Sequence, residues 1–351
     1  MQISITPFTV HKRVALTISR GTHAQSTNLW VRLAADGIEG WGEATPFSVG
    51  THTQTVTQLQ QELTDLTPVL SEFHPLERQR LAPHLAALSS AARAAIDVAL
   101  HDWLGKQVGL PLWQLWGLDR QQIGPTAVTI GISAPEPAVQ RLHQWQTQLP
   151  DVRSIKIKLG SPQGMQADQA MMTALLSAIP TGTKVSIDAN GGWDLETAIT
   201  MADWLADRGI AYLEQPLPVA LDEALEKLSV RSPLPIFVDE SCFTAQDVAR
   251  LAGQVQGINI KLMKAGGLTE ARRMIHTARA CGLDVMFGCY SDSAIANTAL
   301  AHLAPLADHL DLDSHLNLTD DPFQGSKMQA GCLLPNHAPG LGLTHHALSH
   351  G

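Results

Sequence analysis

Three carboxylates recur at a regular interval through the middle of the chain. Asp188, Glu214 and Asp239 lie 26 and 25 residues apart, and each ends a short apolar run (184–188, 211–214 and 235–239). Acids brought together in this way repel one another unless a cation joins them. Hard oxygen ligands suit Mg2+, with Mn2+ as a substitute. Two lysines, Lys158 and Lys261, flank the set in sequence. Lys156 and Lys158 alternate with Ile155, Ile157 and Leu159, so both project to one side of an extended segment. Two ammonium groups on an inward face are costly unless an anion or a metal-bound carboxylate compensates them. Such a set can remove a weakly acidic proton next to a carboxylate. The metal stabilises the dianion that forms, and a lysine whose pKa is lowered by a neighbouring ammonium such as Lys156 acts as the base.

What must position these residues is a repeat of strands and helices. Eight apolar runs lie at 126–132, 154–160, 184–190, 211–217, 235–241, 257–263, 284–290 and 309–315. They alternate with amphipathic stretches such as 194–209 and 267–282. The pattern predicts an α/β fold of the TIM-like (β/α)7-8 barrel type, with its functional groups at the C-terminal ends of the strands. A doubly wound open sheet has fewer strands and an early Gly-rich phosphate turn, which this sequence lacks. On the barrel reading, Lys158 belongs to strand two, the three acids to strands three to five, and Lys261 to strand six, across the barrel from Lys158. Ahead of the barrel, 2–10, 14–19, 28–34 and 38–44 alternate like an antiparallel meander. Segment 45–54 has no period and is expected to be a mobile loop, and 55–104 turns helical. The predicted domains are an α+β capping domain over 1–120 and a catalytic barrel over 121–319. Segment 320–351, rich in Gly, Pro and His, is expected to pack back on the cap.

Of the 351 residues, 44% are hydrophobic and 16% charged, enough to bury a large core. Lys plus Arg number 24 against 33 Asp plus Glu, a net charge of −9 without any basic run, which argues against nucleic acid or an anionic membrane as partner. No apolar stretch reaches the roughly 18–20 residues that span a bilayer. The alternating N-terminus lacks the apolar centre of a signal peptide, so a cytoplasmic location is expected. The four cysteines, Cys242, Cys281, Cys289 and Cys332, contain no CxxC pair and are expected to be buried free thiols. The 15 histidines are scattered, and are expected at surface or core positions rather than on a metal.

Taken in order, Lys156-Ile157-Lys158, Asp188-Ala189-Asn190, Glu214-Gln215-Pro216, Asp239-Glu240-Ser241 and Asn259-Ile260-Lys261 with Gly266-Gly267 resemble the enolase superfamily in its muconate-lactonizing subgroup. The resemblance covers nearly the whole chain, and members of this superfamily use a Lys or His base with Mg2+. Asp311-Leu312-Asp313 also resembles the Asp-x-Asp motif of the dipeptide epimerases, where the pair holds the free ammonium of a small dipeptide substrate. The resemblance implies inversion at the α-carbon of the C-terminal residue, by 1,1-proton transfer between Lys158 and Lys261 through a metal-stabilised enolate. It implies Asp188, Glu214 and Asp239 as Mg2+ ligands and Lys156 as an electrostatic helper. Asn190 and Glu240 would stand behind the ligands, and Arg20, Tyr290 and Ser291 would meet the substrate. Segment 45–53 would form a second lid. Arg20 would suit an acidic C-terminal side chain, and Asp292 stands where relatives often carry Glu. Lys264 is expected to be structural. Relatives are commonly homo-oligomers, and a homo-oligomer is expected here.

Muconate, a dianion, would be repelled by Asp311 and Asp313, which argues against a muconate cycloisomerase. An o-succinylbenzoate synthase or an N-acylamino acid racemase would share the proton chemistry but would have no use for an ammonium site. A barrel that only binds a metal or ligand would not need a base on each face.

Overall fold

The computed structural model describes residues 1–50 and 52–346. Its N-terminal meander consists of β1 (Gln2–Ile18), β2 (Gly21–Ala35) and β3 (Ile38–Ala44). The two alternating runs at 2–10 and 14–19 are one long strand, broken by a register shift between His11 and Leu16. Segment 45–54 differs from the expected loop. There β4 (Phe47–Val49) and β5 (His52–Gln54) pair as a short hairpin, with Phe47 and Val49 buried. Thr51, within the expected lid, lies outside the described residues.

Helices α1 (Val56–Ser71), α2 (Arg78–Ala86) and α3 (Ser90–Val108) cover the meander, and the short α4 (Leu112–Leu115) follows. The Ala-rich α3 is buried along most of its length. Gly40 and Gly42 let β3 lie directly on it, because a Cβ at either position would come within 2.1 and 1.9 Å of the Ala99 and Ala95 carbonyl oxygens.

The eight predicted runs all become strands, although shorter than the runs themselves. In order they are β6 (Ala127–Ile130), β7 (Ser154–Lys158), β8 (Lys184–Asp188), β9 (Leu213–Glu214), β10 (Ile236–Val238), β11 (Gly257–Lys261), β12 (Asp284–Gly288) and β13 (His309–Leu310). Each pairs in parallel with the next, and a parallel bridge from Thr126 to Leu310 joins the last strand to the first. This is a nearly closed TIM-like barrel. Helices α5 (Pro135–Gln148), α6 (Met165–Ala178), α7 (Leu195–Ala206), α8 (Leu225–Arg231), α9 (Ala245–Leu251), α10 (Leu262–Ala265), α11 (Leu268–Ala280) and α12 (Ala294–Ala301) return between strands. With helices covering their outer faces, the strands are buried almost throughout.

The cap docks where α3 meets the start of α11. Asp97 pairs with Arg78 at 3.0 Å and accepts a hydrogen bond from the Thr269 backbone N–H at 2.9 Å. Gly266 and Gly267 have φ of +86° and +116°, and a Cβ there would come within 2.3 Å of Arg93 Nε and 2.5 Å of Asp97 Oδ2. Only glycine combines that backbone with such a close approach.

After β13 the chain returns to the cap. Lys12 and Leu318 form an antiparallel bridge, and the Phe323 and His345 rings pack against Trp30 and Trp41. Among the described residues, no helix is long and apolar enough to cross a membrane.

Candidate active site

The barrel register sets the charged residues side by side. Lys158 is opposite Asp188 in the β7–β8 pairing, and Asp188 is opposite Glu214 in the β8–β9 pairing. Asp239 is the residue after β10, and Lys261 ends β11. Because parallel strands rise together, these five groups gather at the C-terminal rim. Lys158 Nζ stands 2.6 Å from Asp188 Oδ2, and Lys261 Nζ stands 2.7 Å from Asp239 Oδ2. Lys156 is fully buried below them, 2.7 Å from Glu214 Oε2, 3.1 Å from Asp188 Oδ2 and 2.7 Å from Asp311 Oδ2.

Lys264 lies past the strand, on α10, and is buried. Its Nζ pairs with Asp239 Oδ1 and donates to the carbonyls of Asp239, Cys242 and Asn259. It holds Asp239 in place, which is the structural role expected of it. Asn259 donates to Glu214 Oε1 at 2.8 Å, and Gln215 Oε1 accepts the Asp239 backbone N–H at 2.8 Å. Both residues belong to the sequence motifs, but alternation along a strand does not reveal a cross-strand hydrogen bond.

Burial alone would raise the pKa of Asp188, yet the ammonium groups of Lys158 and Lys156 hold it below the usual carboxylate range. Asp239 is likewise held low, because Lys261 and Lys264 outweigh the effect of burial. Glu214 moves the other way, to about 8, because burial and the charge of Asp188 exceed the pull of Lys156. Burial would lower Lys156, but Asp311, Glu214 and Asp188 together raise its pKa well above 10.5. Lys261 is also raised, since Asp239 more than offsets burial. This differs from the expectation of a base with a lowered pKa. Lys261 faces Asp239 directly, and that attraction exceeds the repulsion from the Lys156 ammonium.

Among the described residues, no three His, Cys, Asp or Glu side chains form a ready metal cage. Lysines engage all three acids: Lys156 and Lys158 meet Asp188, Lys156 meets Glu214, and Lys261 and Lys264 meet Asp239. The donor set nevertheless suits a hard divalent cation. Both Asp239 carboxylate oxygens and Glu214 Oε2 are buried and lie within ion-pair distance of ammonium groups, but none is met in hydrogen-bonding alignment.

Beside the acids is a cavity of roughly 190 Å³, roofed by Val14–Thr17 of β1 and walled by Lys158, Tyr290, Asp311 and Asp313. Strand β13 ends before the Asp-x-Asp pair, so the two acids differ in setting. Asp311 is already paired with Lys156 and accepts from Thr129 Oγ1 at 3.2 Å. Asp313 accepts the Thr129 backbone N–H at 2.6 Å and has no ammonium within ion-pair distance among the described residues. Burial and the charge of Asp311 raise its pKa to about 6. Tyr290 lies between Lys261, whose Nζ is 4.5 Å from the ring centroid, and Phe47, which stacks on it at 4.9 Å.

Four other expected residues are placed as follows. Arg20 donates to Glu240 Oε1 at 2.8 Å and to the Asn190 carbonyl at 2.9 Å, and Asn190 Nδ2 reaches the same Glu240 oxygen at 3.3 Å. Arg20, Asn190 and Glu240 thus form one cluster, and the guanidinium is partly neutralised within it. Ser291 faces the cap rather than the cavity: its hydroxyl accepts from Lys12 Nζ at 2.6 Å and its carbonyl accepts from Asn28.

Glu43 carries no chemistry that the sequence could signal, yet it positions this wall. It accepts from Asn28 Nδ2 and from the Ser293 backbone and hydroxyl. Burial and Asp292 push its pKa up to about 8.

Comparison with known proteins agrees with this arrangement. Residues 138–347 match the family profile described as enolase C-terminal domain-like, and residues 2–117 match that of the mandelate racemase / muconate lactonizing enzyme N-terminal domain. The hydrophobic dipeptide epimerase of a Flavobacteria bacterium (strain MS024-2A) is 42% identical over 348 residues, 97% of this chain and 97% of that protein. The hydrophobic dipeptide epimerase of Roseobacter litoralis is 41% identical over 333 residues, 94% of this chain and 95% of that protein. A crystal structure of the dipeptide epimerase from Enterococcus faecalis V583, complexed with Mg and the dipeptide L-Leu-L-Tyr, superposes with a TM-score of 0.90 at 31% identity, covering 98% of this chain and 99% of that one. With both halves matched and the barrel, the cap and the strand-end charges all in place, the chain belongs to the mandelate racemase / muconate lactonizing enzyme family of the enolase superfamily.

Proposed function

We propose that this protein is a Mg2+-dependent dipeptide epimerase that inverts the α-carbon of the C-terminal residue. The observation that carries the proposal is the placement of Lys158 and Lys261 on opposite walls of the barrel, with Asp188, Glu214 and Asp239 on the three strands between them. Those three acids would hold the ion. Bound there, Mg2+ would supply positive charge to stabilise the charge that builds on the substrate carboxylate, and would lower the proton affinity of the lysines by neutralising Asp188 and Asp239.

The chain's own residues do the rest. Lys158 removes the α-proton of one isomer from one face, while Lys261 delivers a proton to the other face; for the opposite isomer the roles exchange. Lys156 stays charged and holds Glu214, Asp188 and Asp311 in position. Asp313 receives the ammonium of the first residue, with Asp311 beside it. Tyr290 shields Lys261 from water. Residues 1–120 with 320–351, of which 347–351 lie outside the described residues, act as the cap over a catalytic barrel of 121–319.

Two observations favour a neutral C-terminal side chain. Arg20 is engaged by Glu240, and two of the similar proteins are hydrophobic dipeptide epimerases. The four cysteines are free thiols, which suits a reducing cytoplasm. The test is a library of L,L-dipeptides incubated in D2O with Mg2+ and read by mass spectrometry. Uptake of one deuterium with inversion at the C-terminal residue is expected. A library that takes up no deuterium and keeps its optical rotation contradicts the proposal.

A further inference from the structure

We propose that the cavity beside Asp313 selects dipeptides whose first residue carries an acidic side chain, with Arg141 as the group that pairs with it. This rests on the dipeptide epimerase function and names the substrate class within it. Arg141 lines the cavity together with Asp311 and Asp313, and is only 8% exposed. Its guanidinium lies over the Trp145 ring, 4.1 Å from the centroid. The acceptors it reaches are neutral, Asn317 Oδ1 at 2.8 Å and Gln144 Oε1 at 3.3 Å. Lys12, at the register shift of β1, donates to Ser291 Oγ at 2.6 Å. Among the described residues, neither Arg141 nor Lys12 forms an ion pair.

A sequestered guanidinium without a directly paired carboxylate is costly, and burial lowers the pKa of Arg141 to about 10 although Asp313 pulls it up. The local negative charge is already assigned. Asp311 pairs with Lys156, and Asp313 is the acid left for the incoming ammonium. Once that ammonium binds, Arg141 lacks a counter-charge in the cavity it lines. A carboxylate on the first side chain supplies it, and the planar fork of Arg141 suits that group. The apolar part of the wall, Val14, Leu16 and Ile132, would accept an aliphatic side chain equally well but gives no reason for a guanidinium there.

The test compares L-Glu-L-Leu with L-Gln-L-Leu, which differ in charge but hardly in shape. The full-length protein with Mg2+ is used, and deuterium uptake at the leucine α-carbon is read. The expected preference for L-Glu-L-Leu in kcat/KM is about tenfold or more. It should shrink towards unity in Arg141→Gln and persist in Arg141→Lys. If Arg141→Gln does not fold, calorimetric binding of both dipeptides to the unmodified protein at low and high salt decides the matter, with a salt-sensitive preference for L-Glu-L-Leu expected. Equal or better use or binding of L-Gln-L-Leu by the unmodified protein overturns the selection. If no dipeptide of a broad panel exchanges deuterium, the epimerase function itself falls, and this inference with it.

Discussion

Lys158 and Lys261 end strands β7 and β11, with three strands between them on either side of the ring. Their amines therefore approach the barrel centre from opposite walls, each drawn to its own carboxylate. Inversion at a carbon requires a proton acceptor on one face and a donor on the other, the two roles proposed for this pair.

The proposed ammonium site would depend on Asp313, because Asp311 is shared with Lys156. Asp313→Asn keeps an acceptor for the Thr129 N–H but removes the charge. It should lower kcat/KM for dipeptides by about a hundredfold, chiefly through KM, since removing one partner of a buried charge pair costs about 2–5 kcal/mol. Steady-state kinetics on an L,L-dipeptide checks this. Unchanged kinetics would favour a substrate without an amine, such as an N-acylamino acid.

Asp97 ties α3 of the cap to α11 of the barrel. Burial would raise its pKa, but His101 and Arg78 hold it well below the usual range. A depressed carboxylate stabilises the fold fully above its unfolded value, about 3.9, and loses that contribution as pH falls towards its folded value. Asp97→Asn should cost about 3–5 kcal/mol at pH 7. It should also flatten the fall in stability between about pH 4 and pH 2, where protonation of Asp97 is felt. Urea unfolding of both proteins across that range measures the effect.

His302 joins the α4 region and the C-terminal segment to α12. Its Nδ1 accepts from the Trp113 N–H, and its Nε2 faces the Leu341 carbonyl. Burial lowers its pKa from 6.5 to about 4. Between those values the unfolded chain binds the extra proton and the folded chain does not. Stability therefore rises with pH across this window and is lost as pH falls through it. His302 should cost on the order of 3 kcal/mol at pH 4 relative to pH 7. His302→Gln should show a smaller drop over the same interval when unfolding is followed at each pH.

The barrel was legible because each buried parallel strand is an apolar run closed by a charged or polar residue. That period also located Lys158, Asp188, Glu214, Asp239 and Lys261 before any coordinates. The hairpin at 47–54 was not legible, since its pairing depends on burial of Phe47 and Val49, and residues 45–54 show no alternation. Neither was the unequal setting of Asp311 and Asp313, because β13 stops short of them and Lys156, far away in sequence, reaches only one. The pairing of Arg20 with Glu240 arises where the cap meets a barrel loop, and the anchoring of Asp239 by Lys264 arises between two barrel strand ends, which a strand period does not reveal. Glu43 looked like an ordinary strand residue, and only burial against Asp292 and Ser293 gives it a positioning role.

The two-wall arrangement is tested most directly by α-proton exchange in D2O with single isomers of one dipeptide. Lys158→Ala and Lys261→Ala should each abolish inversion, with losses of at least about a thousandfold. Each variant should still exchange the α-proton of one diastereomer only, and the two variants should select opposite diastereomers. Full inversion by either variant, or exchange of the same diastereomer by both, would contradict a base on each face.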